Sequence, residues 1–186
     1  MVNPKGNFMG TTKLQAGDAF PKMKVQKLGG GEIEFGKPGN GATWHMIVVY
    51  RGKHCPLCTK YLAQLHELRS EFLDAGVDIA VVSADTEAKA KAHALEKLDL
   101  PFDIGYDLSI DQMHELGLYI SHPRSAQETD RPFAEPGLFV INENGKLHVT
   151  DISNNPFVRP ELNSLLSGIK WIRNPENNYP IRGTHP

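Results

Sequence analysis

The sequence predicts an α/β sandwich, a central mixed sheet covered by helices on both faces. Two apolar runs rich in β-branched residues, Met46–Tyr50 and Val77–Ser83, read as strands buried on both sides, as in a parallel sheet. Between them Leu57, Tyr61, Leu65, Leu68 and Phe72 recur every three or four positions, the apolar stripe of a helix, so the three pieces form a right-handed strand–helix–strand unit. A third apolar run, Gly137–Ile141, is followed by the turn residues Asn142-Glu143-Asn144-Gly145 and by Lys146–Thr150, which adds an antiparallel arm.

The remaining elements follow in order. Residues 1–13 read as a loose polar arm. Gly17-Asp18-Ala19-Phe20-Pro21 turns into a short strand, Lys24–Leu28, and Gly29-Gly30-Gly31 reverses it into Glu32–Phe35. Lys37–Gly41 is a loop. The first long helix runs from Pro56, where a missing N–H costs nothing, to Asp74, and Gly76 ends it. Ser83 or Asp85 can cap a helix over Thr86–Leu98. An extended piece, Leu100–Ile104, precedes a short helix, Ser109–Leu116. Residues 119–136 form a polar, proline-interrupted connection, and long loops inside compact domains tend to be functional. Leu162–Ile172 closes the fold as an amphipathic helix, and residues 175–186 are an irregular tail rich in Pro and Asn. No repeat or composition shift divides the chain, so one domain over 1–186 is expected.

The formal net charge is -2 and no basic stripe or polybasic block is visible, which argues against nucleic-acid and membrane-surface partners. No apolar run is long enough to span a membrane, and Met1–Gly10 lacks the pattern of a signal peptide. The expected location is the cytoplasm, where thiols stay reduced.

The chain has 2 cysteines, Cys55 and Cys58, in the run Cys55-Pro56-Leu57-Cys58. The pair follows a buried strand and opens a helix. There the first-turn N–H groups lack intrahelical partners and the helix dipole is positive, so a thiolate is stabilised. The thiolate is the nucleophile in thiol chemistry. Cys55 is expected to be the more exposed and attacking sulfur. Cys58, one turn further in, would resolve the mixed disulfide. Arg51 and His54 flank the pair, and positive charge on either would lower the thiol pKa. Two inert buried cysteines are the plain alternative. A zinc site would need His54 or a distant residue such as His122 to complete it, and no second Cys pair or spaced His pair offers that. The other histidines, from His45 to His185, read as solvated or satisfied.

Four segments carry a wider resemblance: Leu14-Gln15-Ala16-Gly17-Asp18-Ala19-Phe20-Pro21, Val48–Cys58, Val81-Val82-Ser83-Ala84-Asp85 and Pro136-Gly137-Leu138-Phe139-Val140-Ile141. Together they resemble the peroxiredoxin-like AhpC/TSA (redoxin) family of the thioredoxin-fold superfamily, from about residue 14 to 173. The resemblance implies a thioredoxin-like sheet and thiol redox activity. It departs from the peroxidase pattern Pro-x-x-x-Thr/Ser-x-x-Cys. Gly52 and Val48 stand in those places if Cys55 is the peroxidatic residue, and Cys55 and Arg51 if Cys58 is. The arginine expected before the Gly-Leu-Phe strand is replaced by Pro136, and Arg131 is its only stand-in nearby. Pro136 resembles the cis-proline of thioredoxins, so a cis Glu135–Pro136 bond facing the two cysteines is implied. A plain trans proline opening a strand is the alternative. Glu135, so placed, would raise the thiol pKa by like-charge repulsion and could take the Cys58 proton. The loop Tyr119–Ala134 reads either as a lid or recognition segment or as a solvated insertion.

These readings combine into a thiol–disulfide oxidoreductase or thiol-dependent antioxidant protein with Cys55 and Cys58 catalytic. Pro136, Glu135, Arg51 and His54 support them, and no metal or organic cofactor is required. The alternative is a thiol peroxidase acting on hydrogen peroxide or organic hydroperoxides through a sulfenic acid. A non-enzymatic redox-gated binding module is a further one. Electrons would come from a thioredoxin-type or small-thiol reductant, the substrate would be a disulfide or a peroxide, and a homodimer is implied by the family.

Overall fold

The computed structural model describes residues 13–97 and 102–185. The expected arm up to residue 12, the helix end at Leu98 and the strand start at Leu100 lie outside the described residues. In chain order the elements are β1 (Lys24–Lys27), β2 (Glu32–Glu34), β3 (Trp44–Val49), α1 (Pro56–Glu67), α2 (Arg69–Asp74), β4 (Val77–Val82) and α3 (Glu87–Lys97). Then come β5 (Asp103–Tyr106), α4 (Ile110–Glu115), β6 (Ile120–Ser121), β7 (Phe133–Ala134), β8 (Gly137–Ile141), β9 (Leu147–Ile152) and α5 (Leu162–Arg173).

A 7-stranded mixed sheet in the order β2-β1-β5-β4-β3-β8-β9 forms the centre. Its middle strands β3, β4 and β5 are parallel, and β8 joins β3 antiparallel. The alternation of β3 splits the core. Met46 and Val48 pack with Leu62, Leu65, Phe72, Leu166 and Ile169 on one face. Ile47 and Val49 pack with Met113, Leu116, Phe139 and Phe20 on the other. Helices thus cover both faces, and every residue of β3, β4 and β8 is buried, including the polar His45 and Asp78 within their otherwise apolar runs. The fold is the thioredoxin-like α/β arrangement expected.

Three local features differ from the sequence expectation. The long helix is two: it breaks at Leu68, whose φ and ψ are -93° and -1°, yet Leu65 and Phe72 on either side are both fully buried. The stripe therefore continues through the break. The connection 119–136 holds a small hairpin, with Ile120 opposite Ala134 and Ser121 opposite Phe133. Asp85 and Ser83 leave the start of α3 to Thr86, whose hydroxyl accepts the Lys89 N–H. The Gly29–Gly31 reversal is formed as read, with φ of 89°, 105° and 82°, values that only glycine adopts freely.

The first and last described segments are tied to the body. Lys13 donates to the Tyr119 hydroxyl at 3.2 Å. In the tail a single 3-10 turn, Pro175–Asn177, is followed by Tyr179, whose ring packs on Trp171.

Candidate active site

The site forms where the parallel strands end, the edge at which open α/β sheets bind ligands. Two strand registers build it. In the antiparallel pair Val49 lies opposite Gly137, so the next positions bring Tyr50 to Pro136 and Arg51 to Glu135. In the parallel pair Val49 lies beside Val82, and continuing that register brings Gly52 to Asp85. The chain then turns through Gly52 to Cys55, closed by the Cys55 N–H donating to the Gly52 carbonyl at 3.1 Å.

Cys55 is the N-cap of α1, with extended backbone. Its sulfur accepts the Cys58 backbone N–H at 3.2 Å, as an N-cap oxygen would. The thiol pKa is pulled down to about 6. The largest cause is the hydrogen bond from the Cys58 thiol; the Cys58 backbone N–H and the nearby Arg51 guanidinium add to it, against the opposing effect of burial. The Cys58 thiol moves the other way, raised by its hydrogen bond to Cys55, by burial and by the Cys55 charge. One sulfur is thus a thiolate at neutral pH and the other a thiol that donates to it. Both are buried, Cys55 2% and Cys58 0% exposed. Cys55 is the more exposed of the two only by this narrow margin, and the cap position that stabilises its charge leaves it buried.

Arg51 is the cation of the site. Its Nε lies 3.3 Å from Glu135 Oε2 and its Nη2 3.6 Å from Glu128 Oε1. Its guanidinium stacks over the Phe133 ring at 4.7 Å. The Ser121 hydroxyl donates to the other Glu135 oxygen at 2.7 Å. Both carboxylates are shielded, with 8% and 5% of their side chains exposed. Glu135 therefore faces Arg51, and the expectation that its charge acts directly on the thiols is corrected: the guanidinium is its partner. Glu128, Phe133 and Ser121 all belong to the 119–136 segment, so this part of the segment packs on the site and is no solvated insertion.

His54 and Pro136 also differ from expectation. The His54 ring packs on Phe133 with centroids 4.6 Å apart, and both its ring nitrogens are buried without a hydrogen-bond partner. Burial, and then the Arg51 charge, hold its pKa below the usual histidine value, so His54 is neutral at pH 7 and supplies no charge to the thiol. The Glu135–Pro136 bond is trans. Pro136 opens β8 where a missing N–H leaves no gap in the ladder, its carbonyl accepts the Ser153 N–H, and the Glu135 N–H goes to Tyr119. Arg131, the stand-in for the family arginine, pairs with Asp107 and Asp130 instead. Among the described residues no three His, Cys, Asp or Glu side chains converge as a metal site.

Two supports are not readable in this role from the sequence, where Asp85 reads as a helix cap. Asp85 Oδ2 accepts the Lys53 N–H at 2.7 Å and anchors the turn before Cys55. Asp85 is 3% exposed, and burial raises its pKa. Thr59 donates to the Cys55 carbonyl at 3.3 Å and contacts the buried His93 ring nitrogen at 2.9 Å.

The AhpC/TSA family profile matches residues 16–150. The chain belongs to the AhpC/TSA family. As a member it is a thiol-dependent oxidoreductase of the peroxiredoxin-like, antioxidant group. Solved structures of the same fold include the following. Peroxiredoxin 6 of Arenicola marina, in a mutant form, has a TM-score of 0.74 and 18% identity, covering 88% of this chain and 75% of that one. AhpC of Mycobacterium tuberculosis has 0.71 and 18%, covering 89% and 96%. A peroxiredoxin-like protein from Aquifex aeolicus has 0.70 and 20%, covering 91% and 95%. No curated protein matches the chain. Among the described residues no helix is long and apolar enough to cross a membrane.

Proposed function

We propose that this AhpC/TSA protein is a thiol peroxidase in which Cys55 reduces the peroxide and Cys58 resolves the product. The observation that carries the reading is the buried Cys55 thiolate beside Arg51, a guanidinium clamped between two shielded carboxylates. The Cys55 thiolate attacks the terminal peroxide oxygen and the O–O bond breaks. Arg51 stabilises the charge that develops on the departing oxygen, which leaves as water or alcohol after protonation. Cys55 is then a sulfenic acid. The Cys58 sulfur attacks it, the disulfide forms, and the Cys58 proton leaves with the hydroxide as water.

In this reading Glu135 positions Arg51, Pro136 fixes the register that brings the two together, and His54 forms a neutral wall beside the thiolate. A thioredoxin-type or small-thiol reductant returns two electrons, which suits a reducing compartment such as the cytoplasm. The names of the structural neighbours, peroxiredoxins and AhpC, support a peroxidase.

The N-cap placement of Cys55, with Cys58 one turn inside, favours thiol–disulfide exchange as a second reading. The burial of Cys55 weighs against it, because a protein disulfide reaches a 2%-exposed sulfur only if the turn opens, whereas a peroxide is small. The readings separate with dithiothreitol as reductant. The peroxidase consumes hydrogen peroxide faster than it reduces insulin disulfides; the reverse order supports the exchange reading.

A further inference from the structure

Large apolar side chains stand exposed where α1 begins. Leu57, between the two cysteines, is 40% exposed, and Phe157 and Val158, in the loop after β9, are 81% and 60% exposed. Leu57 and Phe157 wall a cavity of about 340 Å³ together with Lys60, Tyr61 and Arg159, and Val158 links Phe157 to Arg159.

The loop that carries Phe157 and Val158 is held in place. The Phe157 N–H donates to Asn155 Oδ1 at 3.0 Å. Arg159 donates twice to the Pro156 carbonyl, at 3.2 and 2.9 Å. The Tyr61 hydroxyl of α1 donates to the Pro160 carbonyl at 3.0 Å and ties the loop to the helix. An ordered loop that keeps large apolar side chains in water forgoes hydrophobic free energy unless something covers them. The charge left open beside them is positive. Lys60 is exposed and has no carboxylate partner among the described residues. The Arg159 guanidinium meets only a carbonyl and the Tyr61 ring, 4.7 Å from its centre. Glu161, in the same lining, is engaged at the start of α5, where it accepts the Asn163 and Ser164 N–H groups.

We propose that Leu57, Phe157 and Val158, flanked by Lys60 and Arg159, are the docking surface for the protein that reduces the Cys55–Cys58 disulfide, a dithiol protein whose cysteines sit in an apolar face with acidic neighbours. The proposal rests on the peroxidase reading, which supplies the disulfide. Three such side chains offer roughly 500 Å². That is short of the about 800 Å² each partner buries in a stable complex and suits a transient redox encounter.

The chemistry places attack on the same side. Cys55 is the better leaving group because its thiolate is the more stable, so the partner thiolate attacks the Cys58 sulfur. The Arg159 charge is felt at Cys58 and draws that thiolate in. The Cys55–Cys58 bond breaks, Cys55 leaves as thiolate, and a mixed disulfide joins Cys58 to the partner. The partner's second thiolate then closes the partner's own disulfide, and Cys58 leaves and takes up a proton. Two electrons pass from the partner's dithiol to this one. Cys58 is buried in the dithiol, but in the disulfide Cys55 has lost the charge with which it accepts the Cys58 N–H. The cap on α1 weakens, and the turn that carries Leu57 opens more readily than in the reduced protein.

The test starts from the disulfide made with diamide, so that it does not depend on peroxide, and follows its reduction by thioredoxin, by glutathione and by dithiothreitol. In the double variant Phe157→Ser, Val158→Ser the rate with thioredoxin should fall about tenfold, as truncation of a central aromatic contact does. The rates with glutathione and dithiothreitol should stay within about twofold. Lys60→Glu should slow thioredoxin at low salt, and added salt should shrink the loss. An unchanged thioredoxin rate in the double variant overturns the proposal, and so does an equal fall with the small thiols. A wild-type dimer that the double variant splits would assign the face to a second copy and overturn it as well. Hydrogen peroxide that leaves Cys55 unoxidised, beside a selective loss with thioredoxin, would sink the peroxidase reading and keep the docking surface.

Discussion

Arg51 and Glu135 face each other two positions beyond the last paired residues of the central strands, with Nε and Oε2 3.3 Å apart. The pair is shielded, and breaking such a pair from one side leaves an uncompensated charge. Arg51→Ala should therefore cost about 3 kcal/mol of stability. In the double variant Arg51→Met, Glu135→Gln both charges are gone, and most of that loss should return. The Cys55 thiol should titrate higher than in the wild type in both variants. Denaturant melts measured beside thiol titrations check this; a double variant as unstable as the single would show that the pair is not the source.

Alkylation of Cys55 by iodoacetamide should rise with pH to a plateau, with a midpoint near 6. The sign follows from the lowered pKa, since the reactive thiolate is present above it and lost below it. Cys58→Ala removes the thiol that stabilises Cys55 most, keeps its backbone N–H, and should move the midpoint up. An unmoved midpoint would mean that the helix start alone holds the thiolate.

His54 should stay uncharged at pH 7, because burial and Arg51 both lower its pKa. Imidazole nitrogen shifts followed by NMR between pH 4 and 8 check this: the ring should protonate only below the ordinary midpoint, roughly 6.5 for histidine. Protonation near or above it would restore His54 as a cation of the site.

Gly52→Ala should cost about 2 kcal/mol and slow the reaction of Cys55 with peroxide. Gly52 sits at φ 130°, and a Cβ there would lie 2.7 Å from Asp85 Oδ1. The substitution strains the backbone and pushes on the carboxylate that anchors Lys53. A thermal melt and a peroxide rate measured together check it, and wild-type values for both would remove the turn from the account.

The parts of the fold legible in the sequence were those written locally. β3, β4 and β8 announce themselves as apolar runs, and Cys55 with Cys58 at a strand-to-helix turn marks the candidate site. The Arg51–Glu135 pair was not legible, because it depends on the register between strands far apart in the chain. Nor was the state of His54, since nothing in the letters around it says that Phe133 will cover its ring. The same holds for the trans bond at Pro136 and for Arg131 pairing with Asp107 and Asp130. Each is decided by which segments meet at the sheet edge. The Phe133 hairpin escaped notice because two-residue strands carry too little periodicity to read.

The most direct test is rapid-quench mass spectrometry of the reduced protein after hydrogen peroxide is added. The account predicts a sulfenic acid on Cys55 that gives way to a Cys55–Cys58 disulfide, persistent sulfenic acid on Cys55 in Cys58→Ser, and no oxidation of Cys58 in Cys55→Ser. First oxidation on Cys58, or a dithiol inert to peroxide but rapid with protein disulfides, would contradict it.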